Sequence, residues 1–298
     1  MKLLAKNTWL VIFLAIIISF AMPFLGEGLN PYLNIFLMVL MFLSCLDIDL
    51  KVFVESLKDF KIQALILAIV HLASPLIVLI FLKSFLSEEI FLGLILASVI
   101  PAGRAAVFLV SIYGGKPETS LVISTISNAL SPIVVPFLVW LFAKTSIEIN
   151  PVSMGTTILW LVAVPIVAAI LVRSLGLAKY LVKQASGLSV IFLFLIIMGI
   201  ISPIRQVIFD NWEKSIFLIL IVIGLISFDF WLGWKIGKTK EDKITLAVTA
   251  SYKNYTLGTL VALSLFNPVV ALPSIIYTIT NNLMLVPIQF LTKINKVK

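Results

Sequence analysis

Three ionisable side chains, Arg104, Asp229 and Lys253, lie within stretches of sequence that are otherwise mostly apolar. An ionised group at the centre of a membrane-spanning helix costs about 2.5–3.5 kcal/mol on insertion scales. Each therefore needs a partner, a water-filled cavity or a function. Two uses are open for the cations: Arg104 and Lys253 face one cavity and attract an anion, or each caps the carbonyls of a broken helix. Asp229, in Phe228-Asp229-Phe230-Trp231, can serve as counter-ion to Lys253 or as a proton carrier. Asn128, Asn281 and Asn282, with Ser124, Ser127, Thr278 and Thr280, add amides and hydroxyls at helical spacing beside the same regions. Hydroxyls of this kind often bond only to their own helix backbone. Substrate contact is expected from Arg104, Lys253, Asn128, Asn281, Asn282, Ser124 and Thr278.

Other chemistry is excluded by what is scarce. Cys45 is the only cysteine and His71 the only histidine, which rules out a disulfide within the chain, a cysteine-based metal cluster and His-rich metal sites. His71 reads as a satisfied core histidine. No metal and no cofactor are expected. An intramembrane enzyme, for example a transferase acting on lipid, would need a nucleophile, an acid pair or a metal cluster, and one histidine with one buried carboxylate argues against it. A channel or sensor on the same helices is the other alternative, and counterflow separates it from a carrier.

The elements that position these residues follow from hydropathy. The chain has 298 residues, 61% of them hydrophobic and 12% charged, with a mean hydropathy of +1.17. Soluble domains carry about 25% charged residues, so lipid must be the solvent. Apolar runs predict an all-α integral membrane protein with ten spans, at 8–25, 31–47, 62–84, 89–113, 118–143, 152–175, 186–208, 214–236, 243–266 and 268–292. Lys2 and Lys6 ahead of an apolar run imitate a signal peptide, but no small-residue cleavage site follows, and the run is read as the first span. Asp47 and Asp49 end the second span; Trp212, Trp231 and Trp234 read as interfacial anchors. With ten spans, sixteen of the 22 lysines and arginines collect on the side that holds both termini. The excess of cations in cytoplasmic loops then puts both termini in the cytoplasm of a plasma-membrane protein. The charge of +8 is scattered over loop ends, with no basic arm for nucleic acid.

Two spans are interrupted. The fourth breaks at Pro101-Ala102-Gly103-Arg104, where proline lacks an amide donor and glycine tolerates unusual dihedrals. The ninth breaks in the polar run Ser251-Tyr252-Lys253-Asn254. An internal repeat relates them: 123–130 reads ISTISNAL and 276–283 reads IYTITNNL, an offset of 153. Five spans per copy invert the second copy, which gives halves 1–146 and 147–298. Inverted repeats with matching polar interruptions point to a carrier's midplane site.

At Gly93–Pro136, containing GLILASVIPAGRAAVFLVSIYGG and STISNALSP, and at Leu246–Asn282, containing LAVTASYKNYTLGTLVALSLF and VALPSIIYTITNN, the chain resembles the bile acid:sodium symporter family. The resemblance covers most of the chain. It implies two inverted five-helix repeats, a panel of spans 1, 2, 6 and 7, a core of spans 3–5 and 8–10, and a crossing of the broken fourth and ninth spans. It further implies alternating-access transport of organic anions, usually coupled to sodium, with substrate between crossover and panel. The sequence departs from the pattern at the ion sites. Where the family has a Ser-Asn pair after the first break, Ala106 and Val107 stand here. Its acidic ligand in the ninth span aligns with Thr249 and a glutamine ligand with Lys253; only Ser120 and Ser124 keep hydroxyls. These departures predict that Lys253 replaces a sodium ion, so that transport of a small organic anion is proton-coupled or uncoupled. Sodium-coupled symport is the alternative. Arsenite transport through a fourth-span thiol is excluded, since Cys45 lies on the second span.

Overall fold

The computed structural model describes residues 8–46, 60–143, 147–210 and 212–294. The cations Lys2, Lys6, Lys51, Lys58, Lys144, Lys296 and Lys298, and the carboxylates Asp47 and Asp49, lie outside these. Among the described residues the chain is helical, with no strand beyond one isolated bridge. In order the helices are α1 (Thr8–Ala21), α2 (Leu33–Cys45), α3 (Gln63–Phe85), α4 (Glu88–Val99), α5 (Ala105–Tyr113), α6 (Pro117–Ala143), α7 (Pro151–Ser174), α8 (Ala178–Asp210), α9 (Trp212–Ile236), α10 (Lys240–Ser251), α11 (Tyr255–Leu265) and α12 (Pro268–Ile294). Five of them, α3, α6, α7, α9 and the Gly187–Asp210 part of α8, are long and apolar enough to cross a membrane.

The two largest differences from the boundaries that hydropathy predicts lie in the first and seventh runs. The first helix stops at Ala21, short of residue 25, because Pro23 opens a separate turn, Phe24–Glu27. The seventh apolar run begins at Ala178 rather than 186. Lys179 is thus in the first turn of α8, and the 33-residue helix is about 50 Å long, well beyond a hydrocarbon core of about 30 Å. Hydropathy sees only the part that suits lipid, whereas backbone hydrogen bonding carries the helix on into polar residues.

The chain divides into two compact units, each drawing on both halves of the sequence. One comprises residues up to Ile48 together with Thr157–Trp212. Within it α8 packs along α1 and α2, closing a core of Leu43, Cys45, Leu46, Ala169 and Ala185. The other comprises Asp49–Thr156 and Glu213–Lys298. Here α12 packs on α4 and α11, while α6 packs on α4 and α5. All residues of the two breaks belong to this second unit.

Local chemistry explains where its helices stop. Ile100, ahead of Pro101, is extended at φ −61° and ψ 156°, as the proline ring demands of its predecessor. α5 ends on Gly114 in the left-handed region at φ 81°, a conformation that a side chain would strain. α10 starts with a capping box: Thr239 accepts from the Asp242 amide, and the Asp242 carboxylate accepts from the Thr239 amide. α11 starts on Asn254, whose side-chain oxygen accepts from Leu257 N–H at 3.3 Å.

Candidate functional site

The two breaks meet. Ala102 and Lys253 form an antiparallel bridge, in which Gly103 N–H donates to Tyr252 O at 2.8 Å and Asn254 N–H donates to Pro101 O at 2.8 Å. The approach is so close that a Cβ on Gly103 would lie 2.9 Å from the Lys253 carbonyl oxygen and 2.9 Å from the Tyr252 ring. Glycine is required here because backbone meets backbone.

Unwound backbone at membrane depth has to find partners within the protein, and most carbonyls and amides of the first break can be followed to one. The Lys253 ammonium donates to Ser98 O at 2.6 Å, and His71 Nδ1 contacts Val99 O at 2.7 Å. Both are terminal carbonyls of α4 without a continuing helix to receive them. A carbonyl only accepts, so His71 carries its proton on Nδ1, and its Nε2 accepts from the Ser127 hydroxyl at 2.9 Å. Ser127 Oγ in turn accepts from Ala102 N–H at 3.1 Å. Ala102 O accepts from Asn128 Nδ2 at 2.9 Å and from Ser124 Oγ at 3.2 Å. Three residues of α6 and one of α3 therefore hold the first break in shape.

Lys253 also pairs with Asp229 at 3.1 Å, with side-chain exposures of 1% and 3%. A buried ion pair of this kind gains no clear stability over apolar residues of equal volume, but losing one partner is severe.

The predicted site residues separate into three groups. Ser124 and Asn128 are joined to Lys253 through the backbone of the first break. Thr278 and Asn282 are half-buried on α12, where Asn282 Oδ1 accepts from the Tyr252 hydroxyl at 3.2 Å and Thr278 Oγ1 donates to Ser274 O. Asn281 is buried on the same helix. Arg104 is half-buried as the residue before α5, two positions beyond the bridge. The third group lies where sodium ligands would be expected. Thr249 Oγ1 and Ser120 Oγ are 2.8 Å apart and wholly buried, and Thr249 Oγ1 also lies 2.6 Å from Thr245 O. These are neutral oxygens, and among the described residues no carboxylate is bonded to them.

Hydropathy and composition did not reveal His71 as a scaffold of the break. Its burial was legible, but its partners are residues 28 and 56 positions away. Tyr252 and Tyr255 were missed for a similar reason: tyrosine in an apolar span gives no sign of the bond its hydroxyl will make.

The sodium bile acid symporter family matches residues 34–211. Over 286 residues, 92% of this chain and 86% of the relative, the chain is 27% identical to a Bacillus subtilis (strain 168) protein named uncharacterized sodium-dependent transporter YocS. It is also 28% identical to uncharacterized protein YbaS of the same organism over 193 residues, 62% of each chain. The resemblance read from the crossing segments holds: this multi-pass membrane protein belongs to the sodium bile acid symporter family and is a transporter of that type.

Proposed function

We propose that the chain is a secondary carrier of a small organic anion, working by alternating access, in which the Lys253 ammonium does the work of a bound sodium ion. The observation that carries this reading is the buried Lys253 itself, bonded to Asp229 and to the Ser98 carbonyl at the bridge between the two breaks. A positive charge held against a helix C-terminus and unwound backbone is what a coupling cation provides in a carrier of this kind. The Thr249–Ser120 pair favours the same reading, since two hydroxyls and one helix carbonyl are fewer oxygens than a sodium ion takes. Sodium beside an ammonium would also be repelled.

On this reading α4–α5 and α10–α11 are each one interrupted span, giving ten spans in two inverted copies with both termini cytoplasmic in the plasma membrane. The half-buried Arg104, Thr278 and Asn282 line the approach of the anion, while Ser124 and Asn128 maintain the break. A second reading is sodium-coupled symport, favoured by the sodium dependence in the name of the relative YocS.

Uptake and counterflow in proteoliposomes test both, with taurocholate and a panel of smaller carboxylates as probes. Counterflow of a labelled anion that is indifferent to a sodium gradient at fixed pH is the expected result. Flux that rises steeply with inward sodium rejects the role given to Lys253 and leaves the second reading. No counterflow of any anion rejects the carrier.

A further inference from the structure

Among the described residues several buried polar atoms have no hydrogen-bond partner, and four of them bear on the Lys253–Asp229 pair. Asp229 Oδ1, beside the Ser74 hydroxyl, and Ser274 Oγ, the Tyr277 hydroxyl and Asn281 Nδ2 are enclosed without a hydrogen bond of ordinary length. The last three lie on α12 at spacings of three and four, which places them on one face. That face is turned toward α11: the Tyr277 ring stacks on Tyr255 at 4.5 Å, and Ser274 Oγ lies against Gly258. Tyr255 follows Lys253 by two residues, and Lys253 is paired with Asp229 at 3.1 Å. At its edge the face adjoins Thr278 and Asn282, which are half-buried.

The internal repeat makes these loose ends significant. At the offset of 153, Ser124, Ser127 and Asn128 correspond to Tyr277, Thr280 and Asn281. In the first copy the Asn128 amide is spent on Ala102 O and Ser124 O. In the second copy Asn281 Nδ2 is spent on nothing. Buried polar groups without partners are where a water molecule can supply the missing bond, and this face of α12 carries three of them.

We propose that Asp229 is the proton-binding group of an electroneutral proton–anion symport, reached through the Ser274–Tyr277–Asn281 face of α12 and coupled to the anion by Lys253. This rests on the anion-carrier reading above. The charge accounting is simple. A proton from water bonds to Asp229 Oδ1, the carboxylate becomes a neutral acid, and Lys253 keeps its own proton and its bond to Ser98 O. The unbalanced ammonium is then completed by the single negative charge of the anion. Release of both ligands on the other side restores the ion pair. The empty and fully loaded forms each carry no net charge at this locus. A form with proton alone or anion alone carries one uncompensated buried charge, which is costly at membrane depth. That penalty couples the two ligands. The groups facing Asp229 are Lys253 at the break, Ser74 of α3, Tyr255 of α11 and Tyr277 of α12, with His71 near Lys253; Lys253 is the cation among them.

The test uses the full chain in lipid, with taurocholate as probe because its sulfonate stays ionised. Infrared difference spectra between about pH 8 and pH 5 should show a protonated-carboxyl band that Asp229→Asn removes, and taurocholate should move its midpoint upward by about one unit for each tenfold excess over its dissociation constant. Taurocholate uptake should take up one proton per anion and should not respond to membrane potential. Tyr277→Phe removes only an unpartnered hydroxyl, so it should fold; it should slow proton-driven uptake by about tenfold while the Asp229-dependent band stays in place. Absence of an Asp229-dependent band overturns the proposal, as does taurocholate flux without proton uptake. If taurocholate is not carried at all, the anion reading fails for that probe, and the band alone decides whether Asp229 titrates.

Discussion

Lys253 is bonded to residues far from it in sequence, and this sets what its removal should do. Lys253→Met leaves Asp229 buried without its cation, and should cost about 3–5 kcal/mol of stability. The double variant Lys253→Met with Asp229→Leu replaces the pair by residues of similar volume and should recover most of that loss. Thermal unfolding of the purified proteins in detergent measures both. A double variant as unstable as the single would mean that the pair itself holds the fold together. Transport should be lost in both. Gly103 makes a second test at the same scale. Gly103→Ala pushes a methyl group onto the Lys253 carbonyl and the Tyr252 ring, and overpacking of that kind costs about 1–3 kcal/mol. If Gly103→Ala unfolds at the wild-type temperature, the bridge between the breaks is not as close as described.

The elements around the site are held by their ends. α10 carries Thr249 and leads into Lys253, and its first turn is fixed twice, by the Thr239 capping box and by the Lys116–Asp242 pair at 2.7 Å. Thr239→Ala removes the cap and should cost about 1 kcal/mol, seen first as faster amide exchange in the first turn of α10. The Lys116 ammonium, bonded to Asp242, holds that carboxyl below the usual carboxylate range. The stabilisation from a lowered carboxyl is complete above the ordinary carboxylate value and is lost as pH falls through the lowered one. The pair is partly exposed, with side-chain exposures of 49% and 26%, so its contribution is below about 1 kcal/mol. Lys116→Met should therefore lower stability at neutral pH by less than about 1 kcal/mol, leave it unchanged at acid pH, and so flatten the acid-side slope. An acid-side slope that survives in Lys116→Met assigns it to another carboxyl.

For the molecule as a whole, topology is the quantity to measure. Cys45 is buried, so single cysteines placed elsewhere report cleanly. In the ten-span arrangement Ser87, between α3 and α4, faces outward, and Lys238, between α9 and α10, faces the cytoplasm. Ser87→Cys should react with an impermeant maleimide on intact cells, and Lys238→Cys only after permeabilisation. The same exposure at both positions would break the inverted repeat. Residue order alone determined much here. Apolar runs specified a membrane protein, because a chain with so few charges cannot cover itself in water. Pro101 and the polar run at 251–254 marked the breaks, because a missing amide and exposed polar groups cannot continue a helix in lipid. The motifs at those breaks carried the family. What only the tertiary structure decided is the use of each buried polar group. Lys253 bonds to Asp229 and Ser98, and His71 links Val99 to Ser127, so Lys253 became part of a closed pair and His71 a scaffold. Those partners stand between 24 and 155 positions away along the chain. Hydrogen bonds and ion pairs act over a few ångströms, so their assignment waits until the chain has brought distant turns together.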